Sequence, residues 1–281
     1  MKIKEIIDNT RNDRISGSTA ILNQLVDELH HILELSGECG LKEIMVELEN
    51  LKNSLPQFAV LHHFCDEFKN IISTSENNCQ TANTLMELYK TKWKNAGQRA
   101  AEILISEIDF LGKTVLLHSN SSNIISLFEL LNQKGIQPLV IQTISFPIEE
   151  GKVQAEILAR MGFKVSIVGD ASSSQFVKMA DFVIMGADRI FRSEFINKTG
   201  SLPLALACQH YNKPLFVISD SRKFFRYSLY NKPIDLEQME NPEELWVNPP
   251  KGIQILNYHF EHIPNHFVKR FYFENGGYLL Q

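Results

Sequence analysis

Along the first 110 residues apolar side chains recur every three or four positions, the period of an amphipathic helix. Ile21, Leu22, Leu25, Val26, Leu29, Ile32, Leu33 and Leu35 make one such face. LKEIMVELENLKNSLPQFAVLHHFCDEFKNII repeats the texture with an interruption at Pro56. TANTLMELYKTKWKNAGQRAAEILISEIDFL reads as one long helix. From Gly112 the pattern changes to short apolar, β-branched runs: TVLLHS, PLVIQTI, KVSIVG, DFVIMG and PLFVIS read as strands. SNIISLFELLNQKG, GKVQAEILARMG, SSSQFVKMA and TGSLPLALACQHY fall between them and read as helices. Strands alternating with helices over short turns predict a parallel sheet covered on both faces. The chain is therefore expected to be α/β, with a helical N-terminal domain over residues 1–110 and a Rossmann-like, doubly wound parallel-sheet domain over 111–281.

In such a sheet, ligands bind outside the carboxyl ends of the strands. Four loops meet that condition: HSNSSN (118–123), SFPIEEG (145–151), GDASSS (169–174) and GADRI (186–190). The stretch GADRIFRSEFINKTGS (186–201) joins the fourth strand to the next helix. It places Asn197, Lys198, Gly200 and Ser201 just before a helix N-terminus, where free backbone N–H groups and an ammonium suit an anion. Each residue also has a plainer role. Asp188 can cap or pair with Arg189, Lys198 can face solvent, and His118 can pack at a strand end. Ser119, Asn120 and Ser121 can cap a helix, and Gly17 can mark a turn ahead of the helix that Ser18 begins. Their convergence on one sheet edge is what points to a site.

Composition narrows the classes. Of 281 residues 44% are hydrophobic and 22% charged, and the net charge of −5 disfavours direct nucleic-acid binding. No apolar stretch approaches the ~20 residues of a membrane span. MKIKEIIDNTRNDR lacks an apolar core after its lysines, so no signal peptide is expected. The four cysteines are scattered, without metal-site spacing, and are expected as reduced thiols of a cytoplasmic protein. No G-x-G-x-x-G follows the first strand, and there is no Walker loop, H-E-x-x-H or G-x-S-x-G, so neither a dinucleotide cofactor nor a metal is expected.

GADRIFRSEFINKTGSLPLALACQHYNKPLFVISDSRKF resembles the signature of the initiation factor 2B alpha/beta/delta family, which includes methylthioribose-1-phosphate isomerase and ribose-1,5-bisphosphate isomerase. RISGSTAILNQLVDEL resembles that family's Arg-x-x-Gly-Ser helix start, and NYHFEHIPNHFVKRFYFENG its Phe-Glu-x-Ile-Pro tail. LLHSNSSNIISLFELLNQKG and FPIEEGKVQAEILARMGFKVSIVGDASSSQFVKMADFVIMGAD resemble the segments between, so the likeness covers about residues 10–275. The resemblance implies a cleft for a phosphorylated sugar between a helical and a Rossmann-like domain. It also implies a homodimer built mostly through the C-terminal domain, and a translation-factor partner if the chain works as the regulatory subunits do. The isomerases turn an aldose 1-phosphate into a ketose phosphate with a cysteine and an aspartate as acid and base. The aspartate matches Asp188, the glycine near the ligand matches Gly17 with Arg14 and Ser18 beside it, and the Asn-Lys pair matches Asn197 and Lys198. His118 and Asn120 flank the cysteine's position.

Three departures stand out. Ser119 occupies the cysteine's place, and a hydroxyl is far less acidic than a thiol titrating near ~8.5. Phe146 stands where the isomerases carry a phosphate-gripping arginine. Arg192-Ser193-Glu194 replaces an Asn-Gly-Asp segment, with Arg192 expected to face solvent. These changes favour an alpha-subunit-like protein that binds a sugar phosphate without isomerising it. The alternatives are an isomerase using Asp188 as base with another group in the cysteine's role, and an enzyme of changed chemistry whose pocket is shaped by Phe146 and Glu194.

Overall fold

The computed structural model describes residues 3–13, 15–35, 40–74, 79–224 and 239–280. Six helices come first: α1 (Ile3–Asn12), α2 (Ser18–Leu35), α3 (Leu41–Ser54), α4 (Ala59–Thr74), α5 (Cys79–Trp93) and α6 (Ala96–Glu107). The face predicted on α2 is the one it buries, with Ile21, Leu22, Leu25, Val26, Leu29 and Leu33 inside and Ile32 partly covered. They share a core with Leu48 and Leu51 of α3, Phe64 and Phe68 of α4, and Met86 and Tyr89 of α5.

The stretch expected to be one long helix breaks between α5 and α6. The reason is that its halves serve different cores. Leu85, Met86 and Tyr89 face the helical cluster, whereas Ala100, Ala101 and Leu104 pack with the sheet. Gly97 also lies so close to α7 (Ser122–Gln133) that a Cβ there would come within 2.8 Å of the Asn123 side chain. The cysteines correct another expectation. Cys65 and Cys208 are free and buried, but Cys79 is disulfide-bonded.

The sheet contains β1 (Thr114–Leu117), β2 (Leu139–Thr143), β3 (Val165–Val168), β4 (Phe182–Met185), β7 (Leu215–Ile218), β9 (Arg270–Phe273) and β10 (Gly276–Tyr278). Their order is β10-β9-β7-β4-β1-β2-β3, parallel except for the edge pair β9–β10. Side chains alternate between the two faces, as the strand pleat requires. Leu116, Val183, Val217 and Phe271 enter one core, and Leu117, Ile184, Ile218 and Tyr272 the other. The helices α7, α8 (Glu150–Arg160), α9 (Ser173–Met179) and α10 (Ser201–His210) complete the α/β order.

The chain builds outward from β1 through β2 to β3, then returns to place β4 on β1's other side. Strand order reverses between β1 and β4, so a crevice opens where the loops after them part. Residues 186–201 do not run straight from strand to helix. They form a hairpin of β5 (Arg189–Ile190) and β6 (Glu194–Lys198), and β8 (Phe260–Pro264) joins it as a second, antiparallel sheet. Phe260 of β8 meets Phe58 edge-on at 5.6 Å and joins the hairpin to the helical cluster.

Candidate functional site

The β1 and β4 loops face each other at that crevice with little space to spare. A Cβ on Gly186 would come within 2.7 Å of the Ser121 hydroxyl, and one on Gly17 within 3.2 Å of the Asn120 carbonyl. The loop before α2 thus lies over the strand ends and roofs a cleft of about 690 Å³, part of it open to solvent. The N-termini of α2 and α7 both reach this cleft, through Gly17 and Ser18 and through Ser121 and Ser122. First-turn N–H groups at two helix starts favour an anion.

Apart from Asp13, the cleft's charged groups come in two pairs. Asp188 follows β4, and its carboxylate accepts the Ser18 hydroxyl at 2.6 Å, closing a contact between residues 170 positions apart. Burial pushes the Asp188 carboxyl up from its ordinary value, while Lys223, Ser18 and Lys198 pull it back. The Lys223 ammonium donates to the Ala187 carbonyl at 2.7 Å, and burial lowers its pKa against the pull of Asp188 and Asp220. The second pair is Lys198 and Glu150, 3.3 Å apart and both 5% exposed. Ser119 donates its hydroxyl to the same Glu150 oxygen at 2.9 Å from a left-handed backbone, φ 65°. The other carboxylate oxygen, Glu150 Oε2, is buried without a hydrogen-bond partner.

His118 serves as a strut. Its Nε2 lies 3.1 Å from the Thr199 carbonyl, which only accepts, so Nε2 carries the proton and Nδ1 accepts the Thr143 hydroxyl at 2.7 Å. The Thr143 hydroxyl in turn accepts from Ser145 at 3.1 Å, and Ser145 accepts the Ser119 N–H at 2.8 Å. This chain fixes the loop after β1. Burial pushes the imidazole down to about 4, so it stays neutral near pH 7. Among the described residues no group of three or more His, Cys, Asp or Glu side chains is arranged to hold a metal, and no helix is long and apolar enough to cross a membrane.

With this geometry in view, the known proteins are informative. The initiation factor 2 subunit family matches residues 15–278. The chain belongs to that family. A Pyrococcus furiosus protein named translation initiation factor eIF-2B subunit 2-like is 24% identical over 98% of this chain and 95% of its own length. Ribose 1,5-bisphosphate isomerase of Thermococcus kodakarensis is 28% identical over 59% of this chain, so the match spans only 53% of that enzyme. The crystal structure of Pyrococcus horikoshii translation initiation factor eIF-2B shares the fold, with TM-score 0.85 at 22% identity over 99% of this chain and 98% of that one.

Within this initiation factor 2 family fold, the residues singled out from sequence gather at one place. Gly17, Ser18, His118, Ser119 and Asn120 line the cleft from one side, and Asp188, Asn197 and Lys198 from the other. Arg14 lies outside the described residues. The plainer roles mostly give way. Lys198 is buried against Glu150 rather than solvated, and the groups acting on Asp188 are Lys223, Ser18 and Lys198. Further side chains are engaged by the protein itself: His118 as above, Asn120, which donates to the Ile15 carbonyl at 3.2 Å, and Asn197, which donates to Ser201 at 2.9 Å. The helix start expected to hold an anion is already filled. Glu261 of β8 accepts the N–H groups of Gly200 and Leu202, each at 2.8 Å, so α10 is capped from within. Phe146 and Glu194 do not shape the cleft. Phe146 is 49% exposed, Glu194 pairs with His262 at 3.1 Å, and Arg192 faces solvent as expected.

Sequence reading missed Glu150 and Lys223. Both stood in recognisable positions. Glu150 is the first residue of α8, directly after the loop that follows β2, and Lys223 follows β7, a fifth strand end to which the carboxyl-end rule applies equally.

Proposed function

We propose that the cleft binds a small phosphorylated molecule of the sugar-phosphate type, and that this initiation factor 2B alpha-subunit-like protein lacks the cysteine-dependent isomerase activity of its relatives. The observation that carries this reading is the Ser119 hydroxyl donating to Glu150 while Lys198 pairs with the same carboxylate oxygen. A hydroxyl held as a donor to an ion-paired carboxylate has no strong base to ionise it, so Ser119 does not replace a thiol. The two helix starts and Lys198 supply the phosphate-binding character, and the carboxylates suit the hydroxyls of a sugar. We infer a cytoplasmic location, a reading supported by the resemblance to translation initiation factors. Exposed Leu139 of β2 and Ile167 of β3, the edge strand, favour a homodimer through that region, which sedimentation velocity will check.

A second reading, an aldose–ketose isomerase acting on a ribose 1-phosphate derivative, is favoured by Asp188, a carboxyl raised by burial at the strand-order reversal. One experiment separates the two. Ribose 1,5-bisphosphate and methylthioribose 1-phosphate are offered to the purified protein, with binding measured by calorimetry and ketose formation by NMR. Binding without turnover supports the first reading. Turnover that vanishes in Asp188→Asn establishes the second, and absence of binding refutes both.

A further inference from the structure

The lysines of the cleft are already matched by carboxylates of the protein. Asp13, Glu150 and Asp188 line it against Lys198 and Lys223, three acidic side chains to two ammoniums. Lys223 interacts electrostatically with Asp188, and Lys198 lies 3.3 Å from Glu150 with both members buried. Of the two histidines on its wall, His118 is held by Thr143 and Thr199, and His259 lies 2.6 Å from Glu244. A phosphate that enters therefore finds neither lysine free of a carboxylate. The places left for it are the backbone N–H groups where α7 and α2 begin. Ser121, the residue before α7, makes no side-chain cap, whereas α10 is capped by Glu261.

Glu150 makes the opposite demand. Its Oε1 accepts the Ser119 hydroxyl at 2.9 Å and faces the Lys198 ammonium, while its Oε2 is buried and has no hydrogen-bond partner among the described residues. A carboxylate only accepts, so the group that completes it must donate. A hydroxyl donates, and a phosphate that has lost its protons does not. The two demands lie close together. Ser119 touches Glu150, and Ser121 follows two residues later, at most about 7 Å along the chain. That is the scale of a pentose carrying one phosphate.

We propose that Glu150 is a specificity residue: the cleft takes a sugar monophosphate, with its phosphate at the helix starts and a hydroxyl donating to Glu150, and rejects a second phosphate at the Glu150 end. The proposal deepens the binding reading above and rests on it, and it needs no turnover. A second phosphate at that end would stand against a carboxylate whose lysine is already paired. It would leave Oε2 unsatisfied and would lose its own hydration without gaining a cation. Selection of this kind works as much by repelling the wrong ligand as by attracting the right one. Ser119 acts through Glu150 and is a positioning residue, since its hydroxyl fixes Oε1.

The test uses the full chain and calorimetry near pH 7, with ribose 1-phosphate and ribose 1,5-bisphosphate as a matched pair of probes that differ by one phosphate. Wild type is expected to bind the monophosphate at least ~10-fold more tightly than the bisphosphate, the scale of one charge-assisted hydrogen bond. Glu150→Gln removes the repelling charge and releases Lys198. It is expected to weaken the monophosphate, tighten the bisphosphate and so move the ratio of the two affinities at least ~10-fold toward the bisphosphate. A Glu150 that served only as a counter-ion to Lys198 would change both affinities by one factor and leave the ratio where it was. That unchanged ratio, or a wild type that binds the bisphosphate as tightly as the monophosphate, overturns the proposal and leaves the binding site standing. Binding of neither probe overturns the site and the proposal together. The wild-type comparison decides by itself if thermal melts show that Glu150→Gln does not fold.

Discussion

Replacing Lys198 by methionine tests whether Lys198 and Glu150 form one electrostatic unit. At 3.3 Å and an effective dielectric of ~20, their direct attraction is about 5 kcal/mol before desolvation is subtracted. Methionine keeps much of the stem's volume but leaves Glu150, 5% exposed, with the Ser119 hydroxyl and no compensating charge. Breaking a buried pair in this way typically costs about 3–5 kcal/mol, a large part of the 5–15 kcal/mol that holds most domains folded. Urea unfolding followed by circular dichroism reads it directly. With a slope of roughly 1–3 kcal/mol per molar, the midpoint is expected to fall by about 1 M or more at unchanged slope. Adding Glu150→Gln removes the stranded charge, so the double variant is expected to regain most of the loss, to within about 1 kcal/mol of wild type. A single variant that loses less than about 1 kcal/mol, or a double variant no more stable than the single, refutes the coupling.

Other outcomes follow from the same contacts. His118 is held near 4 when folded against 6.5 unfolded, so between those pH values the unfolded chain binds more protons and stability falls as pH drops. The loss attributable to His118 is about 3 kcal/mol by pH 4, and urea midpoints across that window should slope less in His118→Asn. Gly200→Ala is expected to lower the melting temperature by several degrees, because φ is 104° there and the new Cβ would meet the His118 ring at 2.8 Å. Ser119→Cys restores the thiol of the isomerases. It should raise ketose formation from ribose 1,5-bisphosphate at least ~10-fold, and a rate no higher than wild type counts against Ser119 as the reason for lost activity.

Much of the architecture was legible in the chain because helix and strand periods are local properties. The α2 face from Ile21 to Leu33 and the alternation across β1, β4 and β7 are set by neighbours a few residues away. The same holds for the position of the candidate site, since parallel strands joined by short helices must bring their carboxyl ends to one edge. The β5–β6 hairpin was not legible, because its strands are short and β6 finds its second partner in β8, as in the pairing of Asn197 with Glu261. Nor could local pattern show the break between α5 and α6, which follows from two cores pulling one amphipathic stretch in different directions.

By itself, then, the amino-acid order determined the elements, their sequence in the α/β layers and the loops that meet at the β1/β4 reversal. Only the tertiary structure decided which polar groups at that edge are left for a ligand. Glu261 takes the α10 N–H groups, Thr143 and Thr199 take His118, and Ser201 takes Asn197, while Glu150 arrives with an unpaired oxygen. The physical reason is that hydrogen-bond partners are chosen by proximity in space. Ser18 and Asp188 stand 170 positions apart and Gly200 and Glu261 stand 61 apart, distances over which no sequence period carries information.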